Sequence, residues 1–177
     1  MTMKRVDQHV EGGVAPVPDM TKALDLKSQV KFSPAGDLEM AVVSSLRSDS
    51  DPWKSRGETP EQSTEALAKL RPYIQVGKLH SEVVCYVIIE RDGPVAGAAY
   101  MRNIVVKAEY RRKGLGTLVL NHAVEVAKGM YRKTLALRVD PANAPAVSFY
   151  RHAGFTTVAT VVSKKSGKLR LLMSREL

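Results

Sequence analysis

From residue 28 onward the chain switches repeatedly between two apolar periods. QVKFSPAG reads as a first strand, and DLEMAVVSSLRS after it repeats Leu38, Val42 and Leu46 at helical spacing. DSDPWKSRG, crowded with turn residues, separates that helix from a second. There Thr59-Pro60-Glu61-Gln62 has the capping-box arrangement with proline at the first helical position, and the spacing of Leu67, Leu70 and Ile74 predicts a helix that stops near Gly77. The period then falls to that of strands. EVVCYVIIE is apolar and β-branched, RDGP is a turn, and VAGAAYM and NIVVK read as two further short strands. Leu115, Leu118, Val119, Ala123, Val126 and Met130 restore the stripe of an amphipathic helix. KTLALRVD is a strand, NAPAVSFYRHAG a short helix ended by glycine, and FTTVATVVS and KLRLLMSREL a hairpin across KKSGK.

This order predicts an α/β fold: a mixed, mostly antiparallel central sheet of six to seven strands, flanked by helices on both faces. A chain of 177 residues suits one domain with a sizeable core and is too short for two of ordinary size. Residues 1–27, with balanced charge, a Gly-Gly pair and the stretch APVPD, read as a flexible or loosely docked arm; residues 28–177 form the domain.

Composition narrows the function classes. With 44% apolar and 25% charged residues the chain is globular rather than disordered. No apolar run approaches the roughly 18 residues that span a bilayer, and MTMKRVDQHVEGG lacks a secretory h-region, so a cytoplasmic protein without a membrane partner is expected. The single cysteine, Cys85, lies inside VVCYVII and reads as a buried small hydrophobe. The four histidines are scattered without ligand spacing, and no metal is expected. A net charge of +9 attracts something acidic, and nucleic acid, an anionic cofactor and an acidic protein all satisfy it. With 6% aromatic residues and no RNA- or DNA-binding signature, a basic nucleic-acid module is the less favoured of these.

One junction carries chemistry. In YRRKGLGTLVL three cations, Arg111, Arg112 and Lys113, precede Gly114 and Gly116, and a helix pattern follows at once. A strand ending at Val106 and a helix starting near Gly116 bring free backbone N–H groups to the positive end of a helix dipole, where phosphate binds. The glycines remove side chains that would hold a ligand off the backbone. Neither common nucleotide motif fits. The Rossmann pattern needs glycine at Val119, and the Walker pattern needs a Gly-Lys-Ser/Thr that is absent. The alternative is a basic loop that merely starts a helix.

From Asn103 to Phe155 the chain resembles the GNAT N-acetyltransferase superfamily. Arg111-Arg112-Lys113-Gly114-Leu115-Gly116 matches its R/Q-x-x-G-x-G/A signature after a strand, and NAPAVSFYRHAGF resembles its downstream asparagine, tyrosine and Gly-Phe series. The resemblance implies acetyl-CoA as cosubstrate and transfer of the acetyl group to a primary amine, of a small molecule or a protein, in a ternary complex. It implies that the backbone from Arg112 to Thr117, through Leu115, cradles the pyrophosphate, that Val105 and Val106 pair with the pantetheine, and that the N–H of Ile104 meets the acetyl carbonyl. Tyr150 matches the tyrosine that protonates the departing thiolate; it also shares a face with Val147 and Ala153, and the alternative reading is a core aromatic. Asn143 matches the asparagine that contacts the cofactor arm and is also a helix N-cap before Ala144-Pro145.

The resemblance leaves the general base open. The positions where relatives carry a glutamate, on the fourth and fifth strands, fall at Arg102 and Arg138. Glu82, Glu90 or Asp140 could substitute, a water chain could serve, or the chain could bind CoA as a regulator without efficient catalysis. Two cleft arginines would favour an acceptor carrying a carboxylate or phosphate. VAGAAYM runs almost directly into NIVVK, which removes the turn between the third and fourth strands where relatives border their acceptor. The acceptor wall is therefore expected from DSDPWKSRG, where Trp53 either lines the site or plugs the core edge. His122, on the apolar side of its helix, reads as packed.

Overall fold

The run EVVCYVIIE forms strand β3 (Glu82–Glu90), an interior strand beside the centre of one seven-stranded sheet. The computed structural model describes residues 26–164 and 166–177, so all but the last two residues of the expected arm lie outside the described residues. In chain order the other strands are β1 (Val30–Pro34), β2 (Ile74–Leu79), β4 (Ala99–Val106), β5 (Thr134–Val139), β6 (Thr156–Val162) and β7 (Leu169–Glu176). The helices are α1 (Asp37–Ser48), α2 (Pro60–Ala68), α3 (Leu115–Gly129) and α4 (Ala144–His152). The sheet order is β1-β2-β3-β4-β5-β7-β6, antiparallel at every pair except β4 with β5. The mixed, mostly antiparallel α/β sheet with helices on both faces is as expected.

Two apolar layers sandwich the sheet, which is why β3 is apolar at nearly every position rather than at alternate ones. On one face Leu115, Val119, Leu120 and Ala123 of α3 and Val147 of α4 pack on Val87, Ile89, Met101, Leu135, Leu137 and Met173. On the other, Val43 and Leu46 of α1 and Leu67 of α2 cover Ile74, Val76, Tyr86, Ile88 and Val105. Each fully buried Leu, Ile or Val contributes about 1.5–3 kcal/mol relative to an exposed one.

Three local readings are corrected. The second helix starts as its capping box predicts, with Gln62 N donating to the Thr59 hydroxyl and Thr59 N to Gln62 Oε1, but ends at Ala68. Pro72 cannot continue it. Ile74 and Val76, two apart and fully buried, are instead the inward positions of β2. VAGAAYM and NIVVK are not separate strands: their residues from Ala99 to Val106 form β4 alone, and RDGPVAG is the turn between β3 and β4 that seemed missing. These two errors cancel in the strand count. In α1 the buried stripe is Val43, Ser44, Leu46 and Ser48, while Leu38 is 89% and Val42 41% exposed. The two serines satisfy their hydroxyls within the helix, on the Met40 and Ser45 carbonyls, so a polar sequence makes a buried surface.

Candidate active site

The sheet forks between β4 and β5. These parallel strands pair only at Ala99–Leu135, Tyr100–Ala136 and Met101–Leu137, and beyond that each continues without the other. A bulge in β4 starts at the same point. Ile89 faces Met101 but Val87 faces Ile104, so Arg102 and Asn103 together oppose Ile88. The extra residue bends the strand and re-aims the positions beyond it. Ile104, Val105 and Val106 thus pair with β3 on one side only, which leaves main-chain groups along the fork for another partner.

The cationic loop closes one end of the fork. β4 stops at Val106, a single 3-10 turn spans Ala108–Tyr110, and α3 begins at Leu115. Arg112 and Gly114 both adopt the left-handed conformation, with φ of 60° and 80°. Gly114 is the N-cap and offers no side-chain cap, so the N–H groups of Leu115, Gly116 and Thr117 open outward with the helix dipole behind them. A Cβ at Gly116 would meet only Phe149, at 3.8 Å, an ordinary contact. Nothing inside the protein therefore demands glycine there. Lys113 rests its ammonium 5.7 Å from the Tyr110 ring centroid. Arg111 turns away from the loop, donating to the Val106 carbonyl at 2.9 Å and to the Ser50 hydroxyl at 3.0 Å. Another cation takes its place. The Lys27 side chain lies directly over Gly114, in the space a Cβ would fill, and Leu26 beside it packs on the core.

α4 holds the two downstream residues of the motif. Asn143 caps it, its Oδ1 accepting from Ala146 N at 3.2 Å, so the capping role is realised. Tyr150 stands edge-on between Phe149 and Phe155, with centroids 5.3 Å and 5.8 Å away. Burial pushes its phenol up to about 12. It is both a core aromatic and a protonated hydroxyl at any neutral pH.

Arg102 and Arg138 lie on the opposite face of the sheet, the face that carries α1 and α2. Tyr100 pairs with Glu90 on β3 and with Ala136 on β5, so its side chain points to that face, and the arginines two residues on follow it. Both are exposed, with guanidinium carbons 5.2 Å and 6.0 Å from the Tyr100 ring centroid. Arg102 is ion-paired to Glu90. The other acids considered as bases are also engaged: Glu82 with Lys107 and the Tyr110 hydroxyl, which lower its pKa, and Asp140 with Arg170 at 2.8 Å.

Trp53 packs on the edge of the α1 and α2 core, with the Arg47 guanidinium 4.4 Å from its ring centroid. Arg47 also donates to Glu58 at 2.6 Å and, in the amide orientation that satisfies both ends, to the Asn103 oxygen at 3.2 Å. This network ties the α1–α2 connection to the bulge in β4. Cys85 is fully buried beside Gly77, and burial drives its thiol up to about 12. His122 stacks on Phe32 at 4.0 Å, with burial lowering its pKa. Both are packing residues, as expected. Among the described residues no group of three His, Cys, Asp or Glu could hold a metal, and no helix is long and apolar enough to cross a membrane.

Sequence reasoning missed Lys27, Ser50 and Tyr100 as site residues. Lys27 falls at the end of the expected arm, and its partner Gly114 lies far along the chain; Ser50 matters through Arg111, 61 residues on, and Tyr100 through bringing nearby Arg102 together with distant Arg138.

The geometry has relatives. The ribosomal protein bS18-alanine N-acetyltransferase of Escherichia coli is 28% identical over 119 residues, 67% of this chain and 74% of that protein. A Bacillus subtilis protein provisionally given the same activity is 36% identical over 78 residues, 39% of this chain; the match spans about half of that relative, 52%. Among solved structures, Ard1 from Thermoplasma volcanium superposes with a TM-score of 0.69 at 16% identity, over 84% of this chain and 98% of that one, which shows the shared fold. The model of the acetyltransferase (GNAT) family matches residues 40–155, from α1 through α4, and the chain belongs to that family.

Proposed function

We propose that the domain formed by residues 28–177 transfers an acetyl group from acetyl-CoA to a primary amine, by direct attack in a ternary complex. The observation that carries this reading is the coincidence of two openings: the fork between β4 and β5, and the uncapped N-terminus of α3 at its end. A long ligand with a diphosphate at one end and amide groups along its length fits both. The N–H groups of Leu115, Gly116 and Thr117, with Arg112 and Lys113 around them, bind the diphosphate. Val105 spends its main-chain groups on Tyr86 of β3, whereas the Val106 N–H points away from β3 and is offered to the amides, and Asn143, already committed as a cap, borders the same arm.

Acetyl-CoA supplies the acyl group activated as a thioester. The Ile104 N–H supports the carbonyl oxygen as charge grows on it, a contact whose loss typically costs about 2.7–4 kcal/mol of barrier. Tyr150 donates a hydrogen bond to the departing sulfur. Burial pushes its phenol up to about 12, so it stays protonated and supports the charge that grows on the sulfur while the thiolate leaves and takes up a proton. The three carboxylates considered as bases, Glu82, Glu90 and Asp140, are each paired with a cation, which supports a water as the base.

Acetyl-CoA at a hundredfold excess over its dissociation constant should stabilise the protein by about 2.7 kcal/mol. The absence of any thermal shift with CoA or acetyl-CoA would defeat the reading. Release of free thiol across a panel of amines, amino acids and peptide N-termini then tests transfer. A CoA-binding regulator is the second reading, favoured by the lack of an unpaired acid at the fork among the described residues; it predicts the same thermal shift and no thiol release with any amine.

A further inference from the structure

Arg102 and Arg138 are the first residues of β4 and β5 beyond the last paired positions, Met101 and Leu137. They stand at the vertex of the fork, one on each side, and on the face away from α3. Two guanidinium groups on neighbouring strands repel each other, and the fold does little to offset this. Glu90 neutralises Arg102, but among the described residues no carboxylate pairs with Arg138, which leans on the ring and hydroxyl of Tyr100. An exposed cation–π contact offsets little of that repulsion. α1 and α2 cover β2, β3 and the far end of β4 on this face, so neither helix lies over the pair. The arrangement is therefore a cationic fork with a rigid aromatic floor and one charge unmet. Arginine presents a planar pair of donors that matches a carboxylate or phosphate, and such charge-assisted bonds are the strong ones.

We propose that the acceptor carries an oxyanion, a carboxylate or a phosphate, close to its amine, and that Arg138, assisted by Arg102, binds it on the Tyr100 ring. This rests on the acetyltransferase reading. The anion anchors one end of the acceptor at the vertex, and the amine then reaches into the opening beside Ile104. Glu90 sets the strength of the site by competing for Arg102.

The test uses matched acceptors: an amino acid and its carboxamide, and ethanolamine phosphate and ethanolamine. Thiol release is followed with wild type, Arg138→Gln, Arg138→Lys and Glu90→Gln. Wild type should favour the anionic member of a pair by about tenfold in kcat/KM, mainly through KM. Arg138→Gln should bring that ratio close to one, Arg138→Lys should restore part of it, and Glu90→Gln should raise it. The pair with the larger ratio tells carboxylate from phosphate. As a readout that needs no turnover, the arginine Nε–H resonance of Arg138 should shift saturably with each anionic acceptor and not with its neutral partner. Equal kcat/KM within both pairs overturns the proposal, and so does an Arg138 resonance that neither anion moves. A protein that acetyl-CoA stabilises and that acetylates neutral amines equally well would lose this proposal alone; one that acetyl-CoA does not stabilise would lose the function it rests on.

Discussion

The guanidinium of Arg111 donates to the buried hydroxyl of Ser50 at 3.0 Å, joining two loops 61 residues apart in the chain. Its other bond, to the Val106 carbonyl, fastens the end of β4. Arg111 is thus a strut between the loop before α3, the diphosphate cradle of the proposed reading, and the α1–α2 connection. Ser50→Ala should weaken CoA binding severalfold although Ser50 lies outside the cofactor cradle, and Arg111→Ala should also cost about 1–3 kcal/mol in denaturant unfolding. CoA titrations of the two variants check this; a Ser50→Ala protein with unchanged affinity would reduce Arg111 to a charge.

Lys27 lies over Gly114 beside the open end of α3, where its charge adds to Arg112 and Lys113. Crowded cations relieved by a bound diphosphate predict that Lys27→Ala binds CoA about tenfold more weakly, with a shallower salt dependence. Comparing CoA with dephospho-CoA separates the diphosphate from the remaining phosphate: an effect confined to CoA would place Lys27 elsewhere on the ligand.

Tyr150→Phe should lower kcat by about a hundredfold while leaving the dissociation constant of acetyl-CoA within about twofold. Its ring, wedged between Phe149 and Phe155, is kept by the substitution, so the thermal midpoint should hold. A large loss of affinity instead would make the hydroxyl a binding group.

Because the carboxylates considered as bases, Glu82, Glu90 and Asp140, are all paired, the pH dependence of transfer should follow the acceptor rather than the protein. For an α-amine the rate should climb to about pH 8, where such an amine loses its proton, and then level. Tyr150, with its phenol near 12, stays protonated throughout that climb. Acceptors of higher pKa should move the midpoint up with them. A midpoint near pH 5–6 common to all acceptors would mean that a protein acid is the base.

Gly77 faces Cys85 across β2 and β3, and a Cβ there would overlap the Cys85 sulfur and lie 3.0 Å from Phe32 and 3.1 Å from Val30. Gly77→Ala should cost about 1–3 kcal/mol, and Cys85→Ala in the same chain should recover much of it. The native thiol, protonated and buried, should resist alkylation until the protein unfolds, which mass spectrometry after brief iodoacetamide treatment can follow.

What the sequence disclosed is what local chemistry encodes. The capping box at Thr59, the proline after Asn143 and the glycines at 114 and 116 act over a few residues, and each marked its element or its open site. The losses came where distant partners decide. Nothing within VAGAAYMRNIVV says that Arg102 and Asn103 share one partner; the bulge exists only against Ile88. IQVGKL joined the helix before it because Leu67, Leu70 and Ile74 keep helical spacing, and only its place between β1 and β3 makes it a strand. Ser44 and Ser48 hid the buried face of α1 behind polar letters. The positions of Arg102 and Arg138 were legible from spacing, but their meeting over Tyr100 was not.

The fork between β4 and β5 passes through the thickness of the sheet. On the proposed reading, a donor lying along the α3 side and an acceptor resting on the α1 side meet through that slot, with β4 and β5 as its two edges. Entry from opposite faces would let the two substrates be taken up in either order. The same separation would let side chains on one face, such as Arg102 and Arg138, change while the main chain of β4 goes on serving the other face.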